Sequence, residues 1–253
     1  MVKDFFTYKN LRGDYSALEN DIRLGMPTAV FGVSEVHKYL IAALTEGKVL
    51  YIAADAVAAQ KAFQSISVLS GKNCVYLPAK DDVVLYKDAL SKDALFKRLW
   101  ATYKMAHGAE IVITEIEAVM QLFPESVQAI TFKIGEDYDY STLALKLVKM
   151  GYTREYAADT QGSFAVRGDI LDIFPVGAEN PVRIDFFGDT VEKIRPYDGI
   201  TGERLEEVKE VTVIAATDAV IQSEEQEKLR AALTVENKKC GDVKSYERAR
   251  AIC

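Results

Sequence analysis

The residues with the most suggestive chemical spacing are Gly32 and Lys38, six apart in Gly32-Val33-Ser34-Glu35-Val36-His37-Lys38-Tyr39. A loop that cradles nucleotide phosphates needs Gly-x-x-x-x-Gly-Lys-Ser/Thr. Its glycines let backbone N–H groups wrap the phosphates, its lysine meets the β/γ charge, and its hydroxyl reaches Mg²⁺. Here the first glycine and the lysine are in register. His37 replaces the second glycine and lacks its backbone freedom. Tyr39 stands where the Mg²⁺ hydroxyl should be, and Glu35 would repel an anionic phosphate. The segment therefore reads as a degenerate, non-functional phosphate loop or as an ordinary αβ turn with a surface lysine, and in neither case as a tight nucleotide site. No acid pair after a strand supports ATP chemistry either, since Thr114-Glu115-Ile116-Glu117 reads as the first turn of a helix.

Other catalytic spacings are thin. His37 and His107 have no clustered His, Cys or carboxylate neighbours in sequence and read as exposed or capping residues rather than metal ligands. Gly162-Ser163-Phe164 is not a Gly-x-Ser-x-Gly elbow. Asp169 and Asp172, three apart in an expected strand, point to opposite faces and form no direct acid/base pair. No catalytic residue, metal or cofactor is assigned.

The elements that must position these residues alternate between two hydrophobic periods. Residues 28–33, 48–54, 74–78 and 109–114 read as continuous apolar strands, separated by helices over 34–45, 56–69 and 92–107. That is the pattern of a parallel sheet with crossover helices. Trp100 shares the last of those helices with Leu95, Phe96 and Leu99 and reads as a packing residue. After Phe123-Pro124 the pattern changes. Residues 129–134 read as a strand, Ser141 as the cap of a helix carrying Leu143, Leu147 and Met150, and the stretch to Val213 as short strands with a hairpin at Gly188-Asp189. Residues 125–210 thus form an antiparallel α+β unit inserted in an α/β lobe of residues 1–124. Helix is expected to resume after Thr217, so that residues 211–253 begin a further helical part.

Composition sets the boundaries. The chain has 253 residues, 49% of them hydrophobic, with 31 Lys+Arg against 38 Asp+Glu and a formal net charge of −7. This acidic balance argues against a sequence-wide basic face for nucleic acid. No run approaches 18 apolar residues, so no membrane span is expected. Cys74, Cys240 and Cys253 form no CxxC pair, and an odd count suits a reducing cytoplasm. The chain stops inside a run that reads as helical without a cap, as a piece of a longer protein would, and this fragment is expected to be monomeric.

The stretch Gln161-Gly162-Ser163-Phe164-Ala165-Val166-Arg167-Gly168-Asp169-Ile170-Leu171-Asp172-Ile173-Phe174-Pro175 resembles the UvrB-like module of bacterial transcription-repair coupling factors (Mfd) and domain 2 of UvrB. The resemblance continues through Pro181-Val182-Arg183-Ile184-Asp185-Phe186-Phe187-Gly188-Asp189 and Ile194-Arg195-Pro196-Tyr197-Asp198. Tyr76-Leu77-Pro78-Ala79, with residues 82–86, resembles the coupling factors' first lobe. UvrB would need an intact phosphate loop and a tyrosine-rich hairpin after the second helix. This chain has neither, with only Tyr76 and Tyr86 between Asp55 and Trp100, so the coupling factors are the better match. The resemblance implies a P-loop-NTPase-like lobe that has lost its ATPase, carrying a domain that recruits UvrA to stalled RNA polymerase. It places ATP and Mg²⁺ on motor domains downstream, contacts with RNA polymerase and double-stranded DNA on downstream domains as well, and masks the UvrA surface with a C-terminal domain until polymerase is engaged. The alternative is a damage-recognising ATPase of the UvrB kind.

By the same resemblance the UvrA contacts fall on Arg167, Arg183 and Phe187. The residues themselves support this. From Arg154 to Asp198 there are five basic and nine acidic side chains, too acidic for a phosphate track but suited to a protein interface anchored by arginine and aromatic residues. Arg183, Asp185 and Phe187 share one face of their strand, which makes Asp185 or a neighbouring acid the candidate ion-pair partner for Arg183. Of Phe186 and Phe187, one must point inward.

Overall fold

A computed structural model of the chain describes residues 15–80, 92–122, 124 and 126–218. Residues 82–86 and the helix expected after Thr217 lie outside the described residues, as does nearly all of the expected 211–253 part.

The first unit holds helices α1 (Ser16–Arg23), α2 (Glu35–Leu44), α3 (Ala56–Ser70), α4 (Lys92–Ala106) and α5 (Ile116–Met120), and strands β1 (Val49–Ala53), β2 (Cys74–Leu77) and β3 (Ile111–Glu115). The strands form a parallel sheet in the order β1-β3-β2. Asp55 starts α3 by accepting the Ala58 N–H at 2.8 Å, and Gly71 ends it in the left-handed conformation. One sheet face packs Ile111 and Ile113 against Ala59, Ala62 and Ile66 of α3. The other packs Val75 and Leu77 against Ala101 of α4.

One expectation fails here. Residues 28–33 are not a buried strand: they belong to no described sheet, and Val30 and Phe31 are 47% and 89% exposed. A β-prone run becomes a strand only where neighbours complete its hydrogen bonds and cover a side-chain face. Among the described residues this run has neither.

The second unit contains β4 (Ala129–Lys133), α6 (Tyr140–Lys149), β5 (Thr153–Arg154), β6 (Ser163–Arg167), β7 (Ile170–Ile173), β8 (Val182–Phe187), β9 (Thr190–Pro196) and β10 (Glu210–Ile214). Strands β5 to β9 form one sheet in sequence order, antiparallel except for the β5–β6 pair, while β4 pairs antiparallel with β10. Gly168-Asp169 and Gly188-Asp189 are two-residue hairpin loops whose glycines lie at φ +58° and +62°. A glycine at the first central position is what such a turn favours. The inward face, with Phe164, Leu171, Ile184, Phe186 and Ile194, packs with Leu143 and Leu147 of α6 and with Phe132. Helix α6 begins one residue before the expected cap, Ser141. Asp139 holds the N-cap position instead and accepts hydrogen bonds from the Ser141 and Thr142 hydroxyls at 2.6 and 2.7 Å.

Helix α4 serves both units. Ala101 faces the parallel sheet, whereas Phe96 and Leu99 lie in the antiparallel unit's core. Buried Arg98 donates to the Pro78 and Leu122 carbonyl oxygens at 2.8 and 3.2 Å, tying α4 to the ends of β2 and α5. Gly162 and Gly177, at φ +80° in each case, leave no room for a side chain. A β-carbon at Gly162 would stand 2.7 Å from Phe96 Cζ, and one at Gly177 2.6 Å from Trp100 Cγ. No helix among the described residues is long and apolar enough to cross a membrane.

Candidate partner-binding surface

Strand alternation decides which side chains the five-stranded sheet turns outward. Along β8 the burial alternates, with Phe186 5% and Phe187 78% exposed. The inward phenylalanine is therefore Phe186, and Phe187 projects from the hairpin end. Arg183 and Asp185 share the outward face. Register then brings Asp172, Arg183 and Arg195 into one row and Ile170, Asp185 and Lys193 into the next.

One ion pair lies within the first row and a second joins the two rows. Arg183 is held bidentately by Asp172, with Nε–Oδ1 at 2.7 Å and Nη2–Oδ2 at 2.8 Å. Asp185, the candidate partner from sequence, is instead bonded to Arg195. The Asp172 carboxylate is nearly buried and the Arg183 guanidinium about one-third exposed. Hydrogen bonding to Asp172 raises the Arg183 pKa above its ordinary value. The guanidinium also lies 5.9 Å from the Tyr197 ring. Arg167 ends β6, exposed, stacked over the Tyr156 ring at 4.7 Å and donating from Nη2 to the Tyr156 carbonyl at 2.7 Å. Tyr156 is itself 88% exposed.

The three expected contact residues thus lie on one face. Phe187 is exposed, Arg167 is exposed but held by Tyr156, and Arg183 is paired with Asp172. Sequence reasoning missed Tyr156, Tyr197 and Arg204, which flank them. No local motif marks these residues, and only the strand pairing brings them together.

The Gly32 to Tyr39 segment is built differently. Gly32 has φ +70°, and Glu35 bonds Lys61, which lowers the Glu35 pKa. His37 Nδ1 lies 2.7 Å from the Ser34 hydroxyl, Lys38 is exposed, and Tyr39 is buried with its ring 6.2 Å from that of Tyr51. Tyr39 is thus a packing residue, and the loop follows no strand.

A larger crevice of about 740 Å³ opens at the carboxyl ends of the parallel strands, lined by Gln60, Phe63, Tyr76, Lys80, Lys97 and Glu115 among others. Its buried carboxylate is already engaged: Glu115 accepts from the Tyr76 hydroxyl at 3.0 Å and from the Ala79 N–H. Burial, followed by the bond to Glu115, pushes the Tyr76 pKa up to about 12. Burial followed by Asp172 does the same to Tyr197, also to about 12. Both folded values lie above the ordinary 10.0, so the stability linked to these phenols is present below pH 10 and lost as pH rises through 12. The urea midpoint should hold steady up to pH 10 and then fall, and Tyr76→Phe should reduce the fall.

Residues 130–218, most of the antiparallel unit, match the family model described as the UvrB interaction domain. Over more of its length the chain is similar to two transcription-repair-coupling factors. It is 33% identical to that of Myxococcus xanthus over 190 residues, 71% of this chain and 16% of that protein. It is 29% identical to that of Bacillus subtilis over 192 residues, 72% of this chain and again 16% of the relative. UvrABC system protein B of Helicobacter hepaticus is 33% identical over 152 residues, 58% of this chain and 23% of that protein. The chain therefore spans less than a quarter of each of these relatives.

Proposed function

We propose that this chain is a non-catalytic recruitment module of the transcription-repair-coupling kind, which docks UvrA through the outward face of its five-stranded sheet. In this reading it brings the excision machinery to stalled RNA polymerase, while DNA translocation and ATP chemistry belong to other parts of a larger protein. One observation carries the reading. On the unit matching the UvrB interaction domain, an arginine and a phenylalanine, Arg167 and Phe187, stand exposed on a face where Arg183 is paired with Asp172 and Arg195 with Asp185. Arginine and aromatic side chains on a rigid sheet are the usual anchors of protein interfaces.

The test is calorimetric titration of the purified chain with UvrA. Arg167→Glu and Phe187→Ala should each weaken binding about 30-fold, the equivalent of roughly 2 kcal/mol for an anchor residue. Both side chains are exposed, so the urea midpoint should stay at the parent's value. Parent-like affinity in both variants would move the site elsewhere, and no binding by the parent would refute the recruitment reading.

The similarity to UvrB proteins keeps a second reading in play, that of a damage-recognising ATPase. It requires nucleotide binding at Gly32 to Tyr39, where the second glycine and the hydroxyl are missing. Micromolar binding of a fluorescent ATP analogue would favour it. Absence of saturation at millimolar analogue favours recruitment.

A further inference from the structure

Beside Arg183 the outward face carries a small recess of about 160 Å³, lined by Arg183, Arg195, Pro196, Tyr197, Gly202 and Arg204. Three arginines line it. Asp172 and Asp185 engage two of them, and Arg204 has no carboxylate partner among the described residues. The Arg195 Nε is buried and has no hydrogen-bond acceptor. Glu203, the acid nearest in sequence to Arg204, does not line the recess. The site therefore holds a surplus positive charge and an unused donor, and its size suits a side-chain carboxylate.

The rim of the recess is a fixed turn. Asp198 Oδ1 accepts the Ile200 and Thr201 N–H groups at 2.8 and 2.7 Å, and the Gly202 N–H donates to the Asp198 carbonyl at 2.8 Å. The Asp198 N–H donates to the Glu203 carbonyl, and Tyr197 bridges Arg204 along the backbone. At the apex Ile200 is 97% exposed, an apolar side chain held out from a turn with little conformational freedom left to lose on binding.

We infer that the 198–204 turn is a second anchor of the docking face, with Ile200 entering an apolar hollow of the partner while an Asp or Glu of the partner enters the recess toward Arg204 and Arg195. The inference rests on the recruitment reading and extends its contacts from the hairpin end of the sheet to the opposite end. Recognition then needs a partner surface that is apolar at one point and anionic beside it. A basic surface would be repelled by the same arginines.

Ile200→Asp and Arg204→Glu, each made in the full chain and titrated with UvrA, test it. Ile200→Asp should weaken binding about 30-fold and Arg204→Glu about 10-fold. The Arg204→Glu loss should shrink as salt is raised, because the contact is partly solvated. If Phe187→Ala weakens binding while both turn variants bind like the parent, the second anchor is wrong and the recruitment reading stands. If the parent itself does not bind UvrA, both fall.

Discussion

Replacing Gly177 by alanine is expected to lower folding stability by about 3 kcal/mol, the largest single effect anticipated outside the charged face. Two costs add. The new β-carbon would press on the Trp100 ring, 2.6 Å from Cγ, and overpacking a filled site costs roughly 1–3 kcal/mol. In addition, φ +80° is natural for glycine and costs an L-residue roughly 1–2 kcal/mol. The indole cannot simply retreat: it stacks on Tyr103 at 5.9 Å and carries Lys104 over its ring at 4.7 Å. Urea denaturation of Gly177→Ala, Trp100→Leu and the double variant would apportion the two costs. The smaller leucine should recover the clash and leave the backbone penalty, giving a coupling of about 1–2 kcal/mol. Additive losses would mean that the close approach does not limit stability. The cycle also bears on how the units cooperate, because Trp100 sits on the helix that both share.

The sequence foretold most of this helix's position but not its double use. The period of α4 marks Phe96, Leu99 and Trp100 as packing residues, yet a period cannot say which of two cores receives them. That depended on Gly162 and Gly177, more than sixty residues away, whose missing side chains admit the rings. The alternation in β8 was equally legible and left one choice, between Phe186 and Phe187, which the inward packing of Phe186 settles. Residues 28–33 misled for the opposite reason: their apolar run is strand-like, but strand formation needs neighbours that local sequence does not encode.

The charged face hides a subtler misdirection. Counting back from the two-residue Gly188-Asp189 turn would set Arg183 opposite Ile194 and turn Arg195 away from it. The register shifts between Asp185 and Phe186, so that Arg195 pairs with Arg183 across the strands and reaches the outward face. One extra residue in β9 thus gathers the arginines of the recess. No pattern of spacing in the sequence announces it.

Removal of the Arg183 side chain should cost about 2–3 kcal/mol of stability as well as affinity, which makes it a poor probe of binding by itself. Breaking a buried pair typically costs about 3–5 kcal/mol because the surviving charge is left without compensation, and the exposure of the guanidinium lets water reduce that figure. The survivor here is Asp172, 4% exposed in the middle of β7. Charge reversal, Arg183→Glu, would be worse, setting a second carboxylate against it. The informative set is Arg183→Ala, Asp172→Asn and the pair Asp172→Leu with Arg183→Met. Replacing both charges by apolar groups should bring stability back to within about 1 kcal/mol of the parent, since no buried charge is then orphaned. Affinity for UvrA should not follow stability. Asp172→Asn loses stability but keeps the arginine and should still bind, whereas the restabilised double variant lacks it and should bind weakly. If affinity instead tracks the urea midpoint across the set, Arg183 only braces the sheet, and contact with the partner falls to Arg167, Phe187 and the turn.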